Sequence, residues 1–517
     1  MKPIMTCLLP VLLALSAQQA HAADNEAPRC RYIAIATLPV HYTGPYLEIT
    51  TSGVIDGTPA QMLIDTGAYD SFLTRQGTER RNMKLSNTGR VAQGVGGFSS
   101  IYQTQVREFV AGSARSEPGM MRVLSDFGGA APSYDAILGA PFLMQADLEI
   151  SLASKELKFF QPVDCSDSHL GYWDPAALAI PLEARTDRSP NPAFTVIVNG
   201  QKMRAIIDTG AQVSSISLAA AQRAGLQLDA PGVKRADDVI GVGKKKSTRW
   251  HTVLKTFQIG EETIRNADVS VVEGLDSIDV LLGADFLRSH RVLFALSQRK
   301  LYFSYVGGEP FDQGNKLPSW IQAEAEGGNT DAQMMLASMY ASGTNVSRDL
   351  ALATGWIDKA ALGGHALANI ATGRQLLLQG EAGEAAARLR AALDKQPTNR
   401  TAALWLYLAR VRNAQLELAR TELSAMFARS DENAWPAPVA AFYLGKIDEH
   451  ALLRQAGSDQ RNAATRRCQA LVSMTEWHRA HGNGERAETI AAQNRQECRP
   501  AASATGSHAV QSENEAS

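Results

Sequence analysis

The chain has 517 residues, too many for one hydrophobic core, so roughly two to four domains are expected. It is 45% hydrophobic and 20% charged, with Lys+Arg 51 against Asp+Glu 53 and a formal net charge of -2. That balance excludes a broad basic field for nucleic acid or for an anionic membrane surface.

The first element is a targeting segment. Lys2, an apolar stretch from Leu8 to Leu15 broken by Pro10, and the small-x-small triplet Ala20-His21-Ala22 read as a signal peptide over residues 1–22. The apolar run is too short to span a bilayer, and no later stretch is long and apolar enough. The expectation is an exported protein, periplasmic rather than secreted, with no integral membrane segment after signal removal.

A first β-rich lobe is expected over 23–163, a linker over 164–190 and a second β-rich lobe over 191–306. In the first, a hairpin signal at Asp56-Gly57 leads into a strand on which Met62 and Ile64 alternate, and Asp65-Thr66-Gly67-Ala68 follows. In the second, Asn199-Gly200 leads into Met203, Ala205 and Ile207, and Asp208-Thr209-Gly210-Ala211 follows. Downstream, Ala136-Ile137-Leu138-Gly139-Ala140 matches Val280-Leu281-Leu282-Gly283-Ala284. Each copy closes with a hairpin, from Ile150 and from Phe294. One Asp-Thr-Gly is a turn; two inside matched repeats are a duplication.

These residues resemble the retropepsin-type aspartic proteases, including bacterial exported members with two lobes in one chain. The resemblance implies one active site between the lobes, with Asp65 and Asp208 as the catalytic pair. It implies that Thr66 and Thr209 brace the two loops, and that Gly67 and Gly210 allow the turn behind each carboxylate. Gly139 and Gly283 complete the support. The glycine-rich stretches at Gly94, Gly96 and Gly97 and at Gly241 and Gly243 fall where the family places flaps over a bound peptide. Gly243-Lys244 is not a phosphate loop, because Asp238 stands where that motif needs its first Gly.

Two carboxylates close together cannot both ionise comfortably, so they share a proton. The ionised one takes a proton from water while the protonated one polarises the scissile carbonyl. No metal and no cofactor is needed. Ala68 and Ala211 stand where pepsin-like relatives often carry a hydroxyl that favours the charged carboxylate. A mildly acidic to neutral optimum is therefore expected. Departures from symmetry, Tyr69 against Gln212 and Asp70 against Val213, imply unlike subsites in the two lobes.

From 315 to 500 the composition turns to Ala, Leu, Arg and Glu with helical periodicity. Gly327-Gly328 returns as Gly363-Gly364, and Ala332 as Ala368, a recurrence that resembles Sel1-like repeats. Gly383 to Ala409 resembles a tetratricopeptide unit, with Pro397 ending a helix. The fold class is thus two β-rich acid-protease lobes followed by an α-solenoid, which binds a protein partner or covers the lobes. A disordered tail is expected over 501–517.

Four cysteines besides Cys7 permit three pairings. Gly482-Asn483-Gly484 splits the segment ending at Cys498 into two helices, and folding them back brings Cys468 beside Cys498. Cys30 and Cys165 are left to pair where the chain enters and leaves the first lobe; free thiols are the alternative. The functional expectation is an aspartic endopeptidase acting on a protein or peptide substrate. Its rival is a non-catalytic adaptor whose degenerate lobes hold an extended peptide.

Overall fold

In a computed structural model, residues 30–128, 132–185, 190–275, 278–311, 316–428 and 430–498 are described. The signal segment, Cys7 and the tail lie outside them. The two hairpin signals form as expected. At Asp56 and Gly57 φ is 49° and 76°, and at Asn199 and Gly200 it is 48° and 83°. Positive φ at both central residues is what a tight two-residue turn between twisted strands requires.

The two lobes repeat one arrangement. In the first, strand Glu48–Ile55 pairs antiparallel with Thr58–Ile64, and Ala136–Leu138 lies parallel to the latter. Phe72–Thr74 then pairs antiparallel with Ala136–Leu138. In the second, Phe194–Val198, Gln201–Ile207, Val280–Leu282 and Ser215–Ser217 take the same relations. Met62, Ile64, Met203, Ala205 and Ile207 are all buried, so the alternation read from sequence faces the core.

The lobes are joined by one shared 6-stranded sheet. Its order is Arg31–Pro39, Glu156–Val163, Asp147–Ser151, His290–Ala295, Lys300–Tyr305 and Leu178–Pro181. The seam is the antiparallel pairing of Leu148 with Phe294 and of Ile150 with Val292. The segment expected as linker supplies the last strand, Leu178–Pro181; Pro181 is tolerated because this is an edge. Cys30–Cys165 closes the loop of the first lobe with Cα atoms 4.5 Å apart.

The helical region runs from Ser319–Glu326 to Gly484–Glu497. Its 36-residue recurrence has an atomic basis. The buried Gln333 amide donates to the Ala325 carbonyl at 2.9 Å, and the buried Asn369 amide donates to Ala361 at 3.0 Å. Each ties the end of one helix to the body of the next. Helices Ala463–Ala480 and Gly484–Glu497 fold back on each other, and Cys468–Cys498 bridges them at a Cα separation of 5.7 Å. Such a bridge stabilises its hairpin by roughly 2–4 kcal/mol.

The first helices are docked on the first lobe. Ile321, Ala325, Ala332 and Leu336 belong to the same apolar cluster as the lobe cores. Trp320 lies 5.2 Å from the Tyr42 ring, and the Gly44 N–H donates to Asp331 Oδ2 at 2.9 Å. Beside this contact Glu48 is pushed up to about 7, by burial above all and also by the charge of Asp331. Its folded pKa lies above its unfolded value, so stability falls as pH rises from the ordinary carboxylate range to about 7. Glu48→Gln should therefore raise Tm at pH 8 by roughly 3–8 °C and leave it unchanged near pH 4. Thermal melts at both pH values check this, and an unchanged Tm at pH 8 would count against the strain.

Candidate active site

Each Asp-Thr-Gly loop leaves the end of a buried strand and is stitched to the glycine segment beside it. The Asp65 N–H donates to Leu138 O at 3.0 Å and Asp208 N–H to Leu282 O at 2.9 Å. Ala140 N–H donates to Ala68 O at 2.9 Å and Ala284 N–H to Ala211 O at 2.8 Å. A side chain at Gly139 would run into the carbonyls of Asp70 and Ala68, and one at Gly283 would lie 2.8 Å from Ala211 O. The spacing between aspartate and glycine is thus a packing requirement.

The two threonines interlock. Thr66 Oγ1 donates to Ile207 O at 2.8 Å and accepts from Thr209 N–H at 3.1 Å. Thr209 Oγ1 donates to Ile64 O at 2.7 Å and accepts from Thr66 N–H at 3.0 Å. All four groups are dry, and the loops cannot separate without leaving them unmet.

This brings the Asp65 and Asp208 carboxyls together, close enough that each shifts the pKa of the other. Gly67 lies against the Asp208 carboxyl, and a Cβ on Gly210 would come within 2.6 Å of Asp65. Ala68 N–H donates to Asp65 Oδ1 at 2.9 Å, and Gly210 N–H to Asp208 Oδ1 at 2.8 Å. Burial pushes both carboxyls up, Asp65 well above the usual range with the Asp208 charge adding to it. For Asp208 the hydrogen bond from Asp65 offsets part of the rise. One proton shared by the pair is the state that this geometry favours.

Both glycine-rich stretches lie at hairpin tips that meet. Strands Ser86–Gly94 and Gly97–Val106 form one hairpin, and Lys234–Val239 with Ser247–Ile259 form the other. Gly96 N–H donates to Val242 O at 3.0 Å, and Lys245 N–H donates back to Gly96 O at 3.0 Å. Gly243 is also strapped to the first lobe: it donates to Asp126 O at 3.1 Å and accepts from Gly128 N–H at 2.7 Å. Gly97 and Gly243 hold φ of 87° and 127°, which suits glycine.

Sequence reasoning passed over two contributors, Asn191 and Asp285. Asn191 donates to Thr66 O at 2.8 Å and to Ile207 O at 2.7 Å. Asp285 is buried and accepts from the Ser214 hydroxyl at 2.6 Å, while in the first lobe Pro141 stands at its place. There Asp70 supplies a carboxylate from the chain's other side, to the Ser71 N–H at 2.8 Å and to Arg122. The Asp70–Val213 mismatch was the one legible trace of this exchange.

Residues 51–142 match an aspartyl protease family model, and residues 194–289 match a gag-polyprotein aspartyl protease model. Both lobes are retropepsin-like aspartyl-protease domains. An aspartic proteinase from Irpex lacteus is similar at 14% identity, over 53% of this chain and 98% of that one, with a TM-score of 0.36. No curated relative matches the chain. The matched segments contain both Asp-Thr-Gly loops and both glycine segments.

Proposed function

We propose that the chain is an aspartic endopeptidase in which Asp65 and Asp208 act as one dyad on an activated water. The observation that carries this reading is the meeting of the two Asp-Thr-Gly loops in the reciprocal threonine network, which sets each carboxyl against the glycine of the other loop and close enough to shift its partner. A degenerate binding lobe has no need to hold two carboxyls at such a desolvation cost. The ionised member removes a proton from water as the oxygen attacks the scissile carbonyl. The protonated member donates to the carbonyl oxygen, and the tetrahedral intermediate then collapses with proton transfer to the leaving amine. The hairpin tips must part to admit a peptide and re-form their backbone hydrogen bonds over it.

The two disulfides and the leader read from sequence support export, where oxidising conditions preserve such bridges. Among the described residues no helix is long and apolar enough to cross a membrane. The helical region is the proposed docking surface for a substrate or a protein partner, held at a fixed place by its apolar seat on the first lobe.

The test is cleavage of a mixed peptide library by purified protein, read by mass spectrometry, with inhibition by pepstatin as a supporting arm. The adaptor reading survives if peptides bind and none is cut. A second expectation follows from the raised pair. Neither Ala68 nor Ala211 carries a hydroxyl to favour the charged form, so kcat/KM should peak between mildly acidic and neutral pH. A profile that peaks in strong acid, from protein that is still folded at neutral pH, would contradict it.

A further inference from the structure

Asn191 is 5% exposed and lies between Pro190 and Pro192, just before strand Phe194–Val198. Pro192 disfavours helical backbone at Asn191, so the side chain is presented from a stiff, extended segment. Both protons of its amide are spent on the two Asp-Thr-Gly loops, one on Thr66 O and one on Ile207 O. Thr66 O belongs to the peptide whose other end is the Gly67 N–H. Gly67 lies against the Asp208 carboxyl, where a Cβ would run into it, and its N–H favours the charged form of both carboxyls.

The brace has no twin. The lobes are offset by 143 residues, which places Glu48 at the position of Asn191. The strand registers agree, since Thr50 pairs with Leu63 as Ala193 would with Ile206. Glu48 accepts from Ser133 Oγ at 3.2 Å, near the helical docking contact. The duplicated lobes thus meet at a centre that is held from one side by a side chain outside either motif.

We propose that Asn191 is a positioning residue: by holding the Thr66 carbonyl it aims the Gly67 N–H at the Asp65–Asp208 pair. This rests on the reading of that pair as a catalytic dyad. A hydrogen bond to the carbonyl end polarises the peptide and strengthens donation from its N–H end. The anionic form of the pair gains most, because a charged acceptor takes the stronger hydrogen bond. Besides Asp208, Asp65 acts on Tyr134, whose hydroxyl is pushed up by burial and then by Asp65 and Glu48. Asn191 itself carries no charge, so it works on the pair only through the peptide.

The experiment compares Asn191→Ala and the isosteric Asn191→Asp with the parent, in kcat/KM against pH on a cleavable peptide. It also follows the carbon-13 carboxyl shifts of the dyad aspartates through a titration. Loss of the amide weakens the Gly67 donation, so the pair gives up its proton, and takes on its shared charge, less readily. The acid limb should move to higher pH by about 0.5–1 unit in Asn191→Ala, with kcat falling more than KM rises. Asn191→Asp should move it further, because a carboxylate there adds a second negative charge. An unmoved limb and unmoved carboxyl shifts, with only a lower Tm, would make Asn191 a structural residue and overturn the proposal. A parent that cuts no peptide would instead sink the protease reading, while the carboxyl titration still decides the role of Asn191. Should Asn191→Ala fail to fold, Asn191→Asp carries both readouts.

Discussion

Asp65→Asn and Asp208→Asn are each expected to reduce kcat by at least about 10³-fold and to leave the fold intact. An amide keeps the shape of the carboxyl but can neither take a proton from water nor share one with its partner. The same substitutions should stabilise the protein at neutral pH. Burial raises both carboxyls above the unfolded range, so the folded pair retains a proton that the unfolded chain gives up. Its contribution therefore grows more unfavourable as pH rises from the ordinary carboxylate range through the folded value. Removing one charge relieves that strain at pH 7 and changes little below pH 4. Thermal melts beside rate measurements would show inactive variants with raised Tm. Substantial activity in either one would sink the shared dyad. Because the seam from Leu148 to Phe294 joins the lobes within one chain, mixing the two dead variants should restore nothing.

Much of this site was written in the sequence as spacing. The distance from Asp65 to Gly139 and from Asp208 to Gly283 is the length of chain needed to bring a glycine back under the aspartate loop. Backbone contacts there exclude a Cβ, so the pattern is strict. The cysteine pairing across Gly482-Asn483-Gly484 was legible for a similar reason: Cys468 and Cys498 stand at similar distances on either side of the turn, so two helices folded back on each other bring them together. Asn191 was not legible, because its partners Thr66 and Ile207 lie 125 and 16 residues away and one asparagine ahead of the first strand of a lobe has no period. The strap across the hairpin tips was hidden too, since Gly243 bonds to Asp126 and Gly128 through backbone alone. Strand Leu178–Pro181 is short, ends in proline and has meaning only beside Lys300–Tyr305.

Replacing Thr209 by Val should cost more stability than the same change at Thr66, although the two threonines are related by the duplication. Valine fills the same volume, so the effect isolates the hydroxyl. Both hydroxyls are fully buried, and each serves one carbonyl and one N–H of the opposite loop. Thr66→Val leaves the Thr209 N–H unmet, but Ile207 O keeps the Asn191 amide at 2.7 Å. Thr209→Val strips the Thr66 N–H and also removes the 2.7 Å donor to Ile64 O. One orphaned group with a lost bond costs roughly 2–3 kcal/mol and two cost roughly 3–5 kcal/mol, because neither site admits water readily. Activity should fall in both, since a loosened loop carries its carboxyl out of line, and serine at either position should restore most of it. Denaturant unfolding of the four variants beside the parent measures the difference. Equal losses at the two positions would mean that Asn191 shares none of the load at Ile207, and an undiminished stability in both would remove the interlock itself as the element that holds the dyad together.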